Sequence, residues 1–187
     1  MGPWSYDAES CLERAMGLRT FLPLLATALL LAGCAFGGGG SVVPMAERVD
    51  ASSVAWVDAE GARHQLAELK GKVVLVDVWA TWCPPCRRSL PEVADLQRKG
   101  GGEFVVLALS IDDKGWQDVR PFLAERPGLG LRAGLPDGPK GLAAFGSIRG
   151  IPTTFVIDRS GRIRTRWSGF VPGQAEKALK EALAERG

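Results

Sequence analysis

Hydrophobic residues along most of this chain follow two alternating patterns. Short runs of β-branched and aromatic residues predict strands, and longer stretches with apolar residues three and four positions apart predict helices. The clearest strand is 73–80 (VVLVDVWA), whose nearly unbroken apolar character is typical of a central strand covered on both faces. The clearest helix is 84–99, in which Leu90 and Val93 belong to an apolar stripe and a run of glycines follows the last turn.

The other elements complete an alternating order of strands and helices. They are a hairpin of 54–57 and 64–66, a strand at 104–110, a helix at 115–125 capped by Asp112 or Asp113, a strand at 129–135, a helix at 140–145, a hairpin of 154–158 and 162–168, and a helix at 175–184. This order predicts an α/β fold with helices on both faces of the sheet. The final hairpin makes the central sheet mixed, because it adds antiparallel strands beside parallel ones.

Residues 1–33 are typical of a lipoprotein signal peptide. Their apolar run (FLPLLATALLLA) follows basic residues and is shorter than the roughly 20 residues that span a bilayer. The run ends in LAGC, which resembles a bacterial lipobox, and Cys34 is the cysteine that would receive the lipid. The alternatives are an uncleaved anchor and a buried core helix. Met16 is the alternative start, since acidic residues are unusual in a signal and 1–15 contains several. Four consecutive glycines in 34–53 predict a flexible tether, which leaves 54–187 for the folded domain.

Composition and charge narrow the function classes. Apolar residues make up 46% of the chain and charged residues 24%, as in a soluble globular domain. The net charge of +2 gives no reason to expect nucleic-acid binding. Of the four cysteines, Cys11 lies in the predicted signal and Cys34 is the lipidation candidate. Only Cys83 and Cys86 then remain, so no structural disulfide is expected elsewhere.

The spacing of Cys83 and Cys86 is shared by zinc sites and redox pairs. Zinc takes three or four protein ligands, and the chain has no second CxxC and a single histidine, His64, in the first hairpin. Redox chemistry is favoured because Cys83 begins a helix, whose end carries unpaired amides and partial positive charge that stabilise a thiolate. Cys86 lies one turn later, where it can attack a mixed disulfide. We expect Cys83 to be exposed and Cys86 to be shielded.

Two motifs resemble the thioredoxin superfamily. Residues 76–86 (VDVWATWCPPC) are similar to its active-site stretch, and residues 150–155 (GIPTTF) are similar to the loop that carries its cis-proline. The segment between 110 and 150 resembles the central insertion of the membrane-tethered TlpA/ResA-like branch, which also has an N-terminal β-hairpin. The resemblance runs from about residue 54 to the C-terminus and implies a thioredoxin fold.

The resemblance also implies a role for each matching residue. Cys83 would be the nucleophile, Cys86 the resolving thiol, and Pro152 the cis-proline that faces them. Asp77 would be a buried acid that moves a proton to or from Cys86, with a pKa raised by desolvation; the alternative is a partly exposed strand aspartate. The face that meets the substrate would include Trp82, Pro84, Pro85, Ile151 and Thr153.

One departure from the family pattern bears on specificity. Relatives in cytochrome c maturation carry a glutamate three residues after the second cysteine, where this chain has Ser89. The departure counts against narrow specificity for apocytochrome c. It also leaves the strand residue Asp77 as the expected proton carrier.

Together these features predict an exported thiol–disulfide oxidoreductase of the bacterial cell envelope, anchored through Cys34 and monomeric. Its expected partners are protein thiols and disulfides, with a membrane protein as electron donor. The redox-active disulfide of Cys83 and Cys86 would serve without any other cofactor or metal. Reduction of protein disulfides is the favoured activity, and the alternatives are a peroxide-reducing relative and a redox-silent lipoprotein that binds partners.

Overall fold

A computed structural model describes residues 41–100 and 102–185, and contains three α-helices and eight strands in these ranges. The strands are β1 (Ser41–Val42), β2 (Ala55–Val57), β3 (Arg63–Gln65), β4 (Val73–Trp79), β5 (Phe104–Ser110), β6 (Ala133–Pro136), β7 (Thr153–Ile157) and β8 (Ile163–Ser168). The helices are α1 (Pro84–Lys99), α2 (Trp116–Ala124) and α3 (Gln174–Ala184). The predicted hairpins, the long helix and the two buried strands are all confirmed.

The strands form one sheet in the order β1-β8-β7-β4-β5-β6-β2-β3. The central strand β4 runs parallel to β5 and antiparallel to β7. The sheet is therefore mixed, as the final hairpin predicts. Parallel β4 and β5 end at the same edge, where α1 begins.

Alternation along β4 divides the core into two layers, because successive side chains of a strand point to opposite faces. Odd-numbered apolar positions from Val73 to Trp79 pack with residues of all three helices. Even-numbered positions from Val74 to Val78 pack with the first hairpin and with Phe145, which belongs to a short 3-10 helix. Asp77 shares the parity of the first set, so it lies on the helix-covered face.

Part of the segment predicted to be a tether, residues 41–53, belongs to the folded domain. Residues 41–53 are folded against the domain: β1 pairs with β8, and Asp50 bridges to Arg162. Arg48 is buried and binds Asp158 at 2.9 Å and Glu185 at 3.0 Å. These contacts join residues more than a hundred positions apart, which a local pattern cannot reveal.

Two elements of the central insertion also differ from the prediction. The strand expected at 129–135 is β6, which begins at Ala133 after a 3-10 turn at Pro127–Leu129. The helix expected at 140–145 is only a 3-10 turn at Ala143–Phe145. The turn stops at Gly146, whose positive φ of 67° ends helical geometry. Within the described ranges, no helix is long and apolar enough to cross a membrane.

Candidate active site

The two cysteines lie where β4 gives way to α1. Cys83 is the N-cap of α1 and Cys86 lies in its first turn. A disulfide joins them, with 5.2 Å between their Cα atoms. The strand fixes the start of the loop and the helix fixes its end, so both sulfurs are held by regular structure.

The hydrogen bonding of Cys83 depends on the two prolines that separate the cysteines. An N-cap side chain normally accepts from the amides two or three residues later. Pro85 has no N–H to give, and the amide of Cys86 donates to Cys83 Sγ at 3.2 Å. Among the described residues this amide is the one hydrogen-bond donor to Cys83 Sγ. The carbonyl oxygen of Ile151 lies 3.6 Å from the same sulfur.

The expectation that Cys83 is exposed is wrong for this oxidised form. Cys83 is 3% exposed and Cys86 is fully buried. Cys83 Sγ is bonded to the buried Cys86, and the carbonyl oxygen of Ile151 contacts it at 3.6 Å. The surface above the pair belongs instead to Trp82, which is 59% exposed, and to Pro84.

The loop before β7 forms the opposite wall. The Ile151–Pro152 peptide bond is cis, as the resemblance implies. Pro152 is buried, and the hydroxyl of Thr153 is also buried, where it donates to the carbonyl of Gly150 and lies 2.9 Å from the hydroxyl of Ser168. Thr153 therefore stabilises the loop internally. The predicted contact of Thr153 with the substrate stays a prediction. The same holds for the substrate contacts of the exposed Trp82 and Pro84 and of the half-buried Pro85 and Ile151.

Asp112 fixes the loop that carries the cysteines, a role that the sequence does not reveal. It does not cap α2, which begins at Trp116 after Gly115. Its carboxylate instead accepts hydrogen bonds from the amide of Thr81 at 2.9 Å, the hydroxyl of Thr81 at 2.6 Å and the hydroxyl of Ser110 at 2.6 Å. Asp112 therefore ties the end of β5 to the residues just before Cys83.

Asp77 occupies the buried position that the sequence predicts. It is 1% exposed, and Thr154, opposite it on β7, donates to its Oδ1 at 2.7 Å. Its Oδ2 is buried and has no hydrogen-bond partner among the described residues. Burial raises the pKa of Asp77 to about 7; the Thr154 hydrogen bond opposes this rise, and the charge of Glu92 adds to it.

Glu92 is the residue that the sequence analysis overlooks. It lies three positions after Ser89, hence on the same side of α1. It lines a small cavity together with Asp77 and Ser89. The i, i+3 spacing of Ser89 and Glu92 is a signal in the sequence, but only the packing of α1 on β4 shows that it leads to Asp77.

His64 packs within the first hairpin and contacts neighbouring side chains there. Its ring stacks on Trp56 with 5.3 Å between centroids, and its Nε2 lies 2.9 Å from Asp58 Oδ2. The hydrogen bond with Asp58 raises the pKa of His64. Across 41–100 and 102–185, no group of three or more His, Cys, Asp or Glu side chains is arranged to hold a metal ion. Cys34, the predicted lipidation site, lies outside the described residues.

A CxxC disulfide at the start of a helix, facing a cis-proline loop at the edge of a mixed sheet, defines a thioredoxin-fold thiol–disulfide oxidoreductase. The chain belongs to the Redoxin family, whose model matches residues 44–183. Its sequence is 36% identical over 129 residues to the thiol-disulfide oxidoreductase ResA of Geobacillus thermodenitrificans, covering 67% of this chain and 71% of that protein.

Two further comparisons agree with this class. The thiol:disulfide interchange protein DsbE of Pseudomonas aeruginosa is 37% identical over 120 residues, which covers 63% of this chain and 61% of DsbE. The crystal structure of a thioredoxin-family thiol:disulfide interchange protein from Chlorobium tepidum superposes with a TM-score of 0.63 at 29% identity. That match covers 73% of this chain and 97% of the solved one. The TlpA/ResA-like resemblance and the oxidoreductase activity are thereby confirmed.

Proposed function

We propose that this chain is a reductant of protein disulfides outside the cytoplasm. The proposal that electrons flow from this chain to its substrate depends on one observation: among the described residues, a single amide donates to Cys83 Sγ. A thiolate at a helix start is stabilised by nearby N–H groups. Stabilising the thiolate favours the reduced form of the pair and so makes its disulfide a stronger oxidant. Here Pro84 and Pro85 remove two N–H groups from the start of the helix. The carbonyl oxygen of Ile151, 3.6 Å from Cys83 Sγ, disfavours a negative charge on that sulfur. Weak stabilisation of the thiolate favours the disulfide, and so makes the dithiol a better electron donor.

The reaction proceeds in two exchanges. The Cys83 thiolate attacks a substrate disulfide, forms a mixed disulfide and releases the first substrate thiolate. Cys86 then loses its proton and attacks Cys83 Sγ, which releases the second substrate thiolate and forms the Cys83–Cys86 disulfide. The pair gives up two electrons and the substrate disulfide gains them. The proposed role of Asp77 is to accept the Cys86 proton, for which a pKa of about 7 is suited.

The surface around the pair favours a polypeptide substrate. Trp82, exposed beside Cys83, offers an aromatic face, and the half-buried Ile151 offers a backbone edge on the other side. Aromatic side chains at an exposed site bind apolar segments of partner proteins. No further cofactor enters this scheme, and the oxidised pair is proposed to be reduced again by a membrane electron donor.

Replacing Cys86 by Ala tests the scheme. Attack by Cys83 survives in this variant and resolution is lost, so the full chain should accumulate mixed disulfides on Cys83 when it is mixed with insulin. The wild-type chain should reduce insulin, and Cys83→Ala is the matched control that forms no adduct. Adducts on Cys86 in Cys83→Ala, with none on Cys83 in Cys86→Ala, would reverse the two roles. Reactivity with hydrogen peroxide alone would favour peroxide reduction, and no reactivity with either would favour a redox-silent lipoprotein.

The proposed location is the extracytoplasmic side of a bacterial membrane, with a lipid on Cys34. One structural neighbour, the exposed lipoprotein thioredoxin Etrx1 of Streptococcus pneumoniae, supports this location, with 30% identity, 68% coverage of this chain, 97% coverage of Etrx1 and a TM-score of 0.56. We expect Cys34→Ser to abolish lipidation and to move the protein from the membrane fraction to the soluble exported fraction. Retention of Cys34→Ser in the membrane would instead favour an uncleaved anchor.

A further inference from the structure

A cavity of about 20 Å³ lies between β4, α1 and the segment that connects β8 to α3. Its volume is enough for one water molecule. Two of the residues that line it, Asp77 and Glu92, each have a buried carboxylate oxygen (Asp77 Oδ2 and Glu92 Oε1) that finds no hydrogen-bond partner in the described part of the chain. Buried polar atoms are rarely left unpaired, and a bridging water is their usual partner.

The second oxygen of each carboxylate is held by the protein. Thr154 donates to Asp77 Oδ1, and the backbone amide of Gly173 donates to Glu92 Oε2 at 3.1 Å. These bonds hold one oxygen of each carboxyl group in place. Because both residues line the same cavity, one water molecule there could serve as the partner of both unpaired oxygens.

Glu92 also offers a connection to solvent. It is half-buried, whereas Asp77 is almost completely buried. The other described residues around the cavity carry no ionisable side chain: Ser89 and Val93 of α1, Pro152, Thr154 of β7, Trp167 of β8, Gly169, Phe170, Val171 and Ala175 of α3. The two carboxyl groups thus interact with each other without a cation among the residues that line the cavity.

We propose that Glu92 is a positioning residue for the proton on Asp77: the two carboxyl groups share one water molecule, and this path links Asp77 to solvent. Glu92 thus provides a carboxyl group on α1, which Ser89 does not have. The inference rests on the proposed role of Asp77 in the reaction of Cys86.

The proton balance follows the second exchange. Cys86 gives its proton to ionised Asp77 as its sulfur attacks Cys83 Sγ, and the substrate leaves as a thiolate. Asp77 then releases the proton through the shared water to solvent, and the proton neutralises the departing thiolate. No oxidant or reductant besides the substrate disulfide and the dithiol is needed.

The two exchanges can be separated with a chromogenic aryl disulfide, dithiobis(nitrobenzoate). Its first thiolate is released by attack of Cys83 and its second by attack of Cys86, so stopped-flow absorbance resolves both steps. We would measure the full-length wild type, Glu92→Gln and Asp77→Asn between about pH 5 and 9. The matched control is Glu103→Gln, which removes the same charge from an exposed residue at the opposite end of β5.

Glu92→Gln should leave the first step unchanged and move the midpoint of the second step to lower pH. The reason is that a neutral amide no longer opposes ionisation of Asp77, while its oxygen can still accept from Gly173. Carboxyl-carbon NMR should show the same fall in the pKa of Asp77. Glu92→Asp keeps the charge and should keep the midpoint near that of the wild type, and Glu103→Gln should match the wild type in both steps.

A second-step profile in Glu92→Gln that coincides with the wild type would overturn the inference while leaving the proposed function intact, provided that Asp77→Asn still slows this step. Equal slowing of both steps in Glu92→Gln would show a merely structural role and would also overturn it. If Asp77→Asn resolves like the wild type, the proton role of Asp77 fails and the inference fails with it.

Discussion

At the scale of single residues, Asp77 combines burial with incomplete hydrogen bonding. One carboxylate oxygen accepts a hydrogen bond from Thr154, and the other has no partner within 41–100 and 102–185. The neighbouring positions on the strand, Val76 and Val78, are apolar. Burial of a carboxylate without a cation disfavours its charged form. The property that suits Asp77 to proton transfer therefore also destabilises the folded protein when the residue is ionised.

This conflict predicts a pH-dependent stability. The folded pKa of Asp77 is raised from 3.8 to about 7 in the oxidised protein, so the folded state binds more protons than the unfolded state between these values. The free energy of unfolding should thus fall as pH rises through this window, by at most about 4 kcal/mol from this group. We expect Asp77→Asn to be more stable than the wild type at pH 8 and similar to it at pH 4, as measured by urea unfolding. An equal stability difference at both pH values would show that ionisation of Asp77 is not the cause.

At the scale of elements, the junction between β4 and α1 depends on Asp112. Asp112→Ala would leave the half-buried amide and hydroxyl of Thr81 and the buried hydroxyl of Ser110 without their acceptor. Unsatisfied buried groups cost about 1–3 kcal/mol each. We expect this variant to lose about 2–4 kcal/mol of unfolding free energy and to react more slowly at Cys83. Asp113→Ala, at the exposed neighbouring position, is the matched control and should be nearly neutral. Equal stability of the two variants would show that the Asp112 contacts do not hold the loop.

The elements that the sequence predicts best are those with strong local signals. The bounds of α1 and β5 are as predicted, because prolines and glycines mark the ends of α1 and a continuous apolar run marks β5. The 3-10 turn at Ala143–Phe145 is mispredicted as a longer helix, since Phe145 is apolar for its place in the second core layer rather than for helical periodicity. β1 has no local signal, because it exists through pairing with β8.

At the scale of the whole molecule, the residues of the candidate site that lie within the two sequence motifs could be predicted. Cys83, Cys86, Asp77 and the cis peptide at Pro152 are found where the two motifs place them. Glu92 was not predictable, because its relation to Asp77 depends on how α1 packs against β4. The burial of Cys83 likewise depends on a loop almost seventy residues away, whose carbonyl contacts its sulfur.

The whole-molecule property that matters most is the equilibrium between the dithiol and disulfide forms. This equilibrium reflects the difference in stability between the folded protein with the dithiol and the folded protein with the disulfide. Pro85→Ala offers a matched comparison for its cause, since it restores one amide near Cys83 Sγ. An added donor stabilises the thiolate and should make the pair less reducing than the wild type. This comparison separates the effect of the prolines from that of the surrounding fold.

The measurement that tests the central claim most directly is the reduction potential of the Cys83–Cys86 couple in the full chain. It is obtained by equilibration with glutathione or dithiothreitol mixtures and quantified by thiol alkylation and mass spectrometry. We expect a value near that of thioredoxin, about −270 mV, as befits an electron donor to protein disulfides. A value near that of the oxidant DsbA, about −120 mV, would contradict the proposal that this chain is a reductant.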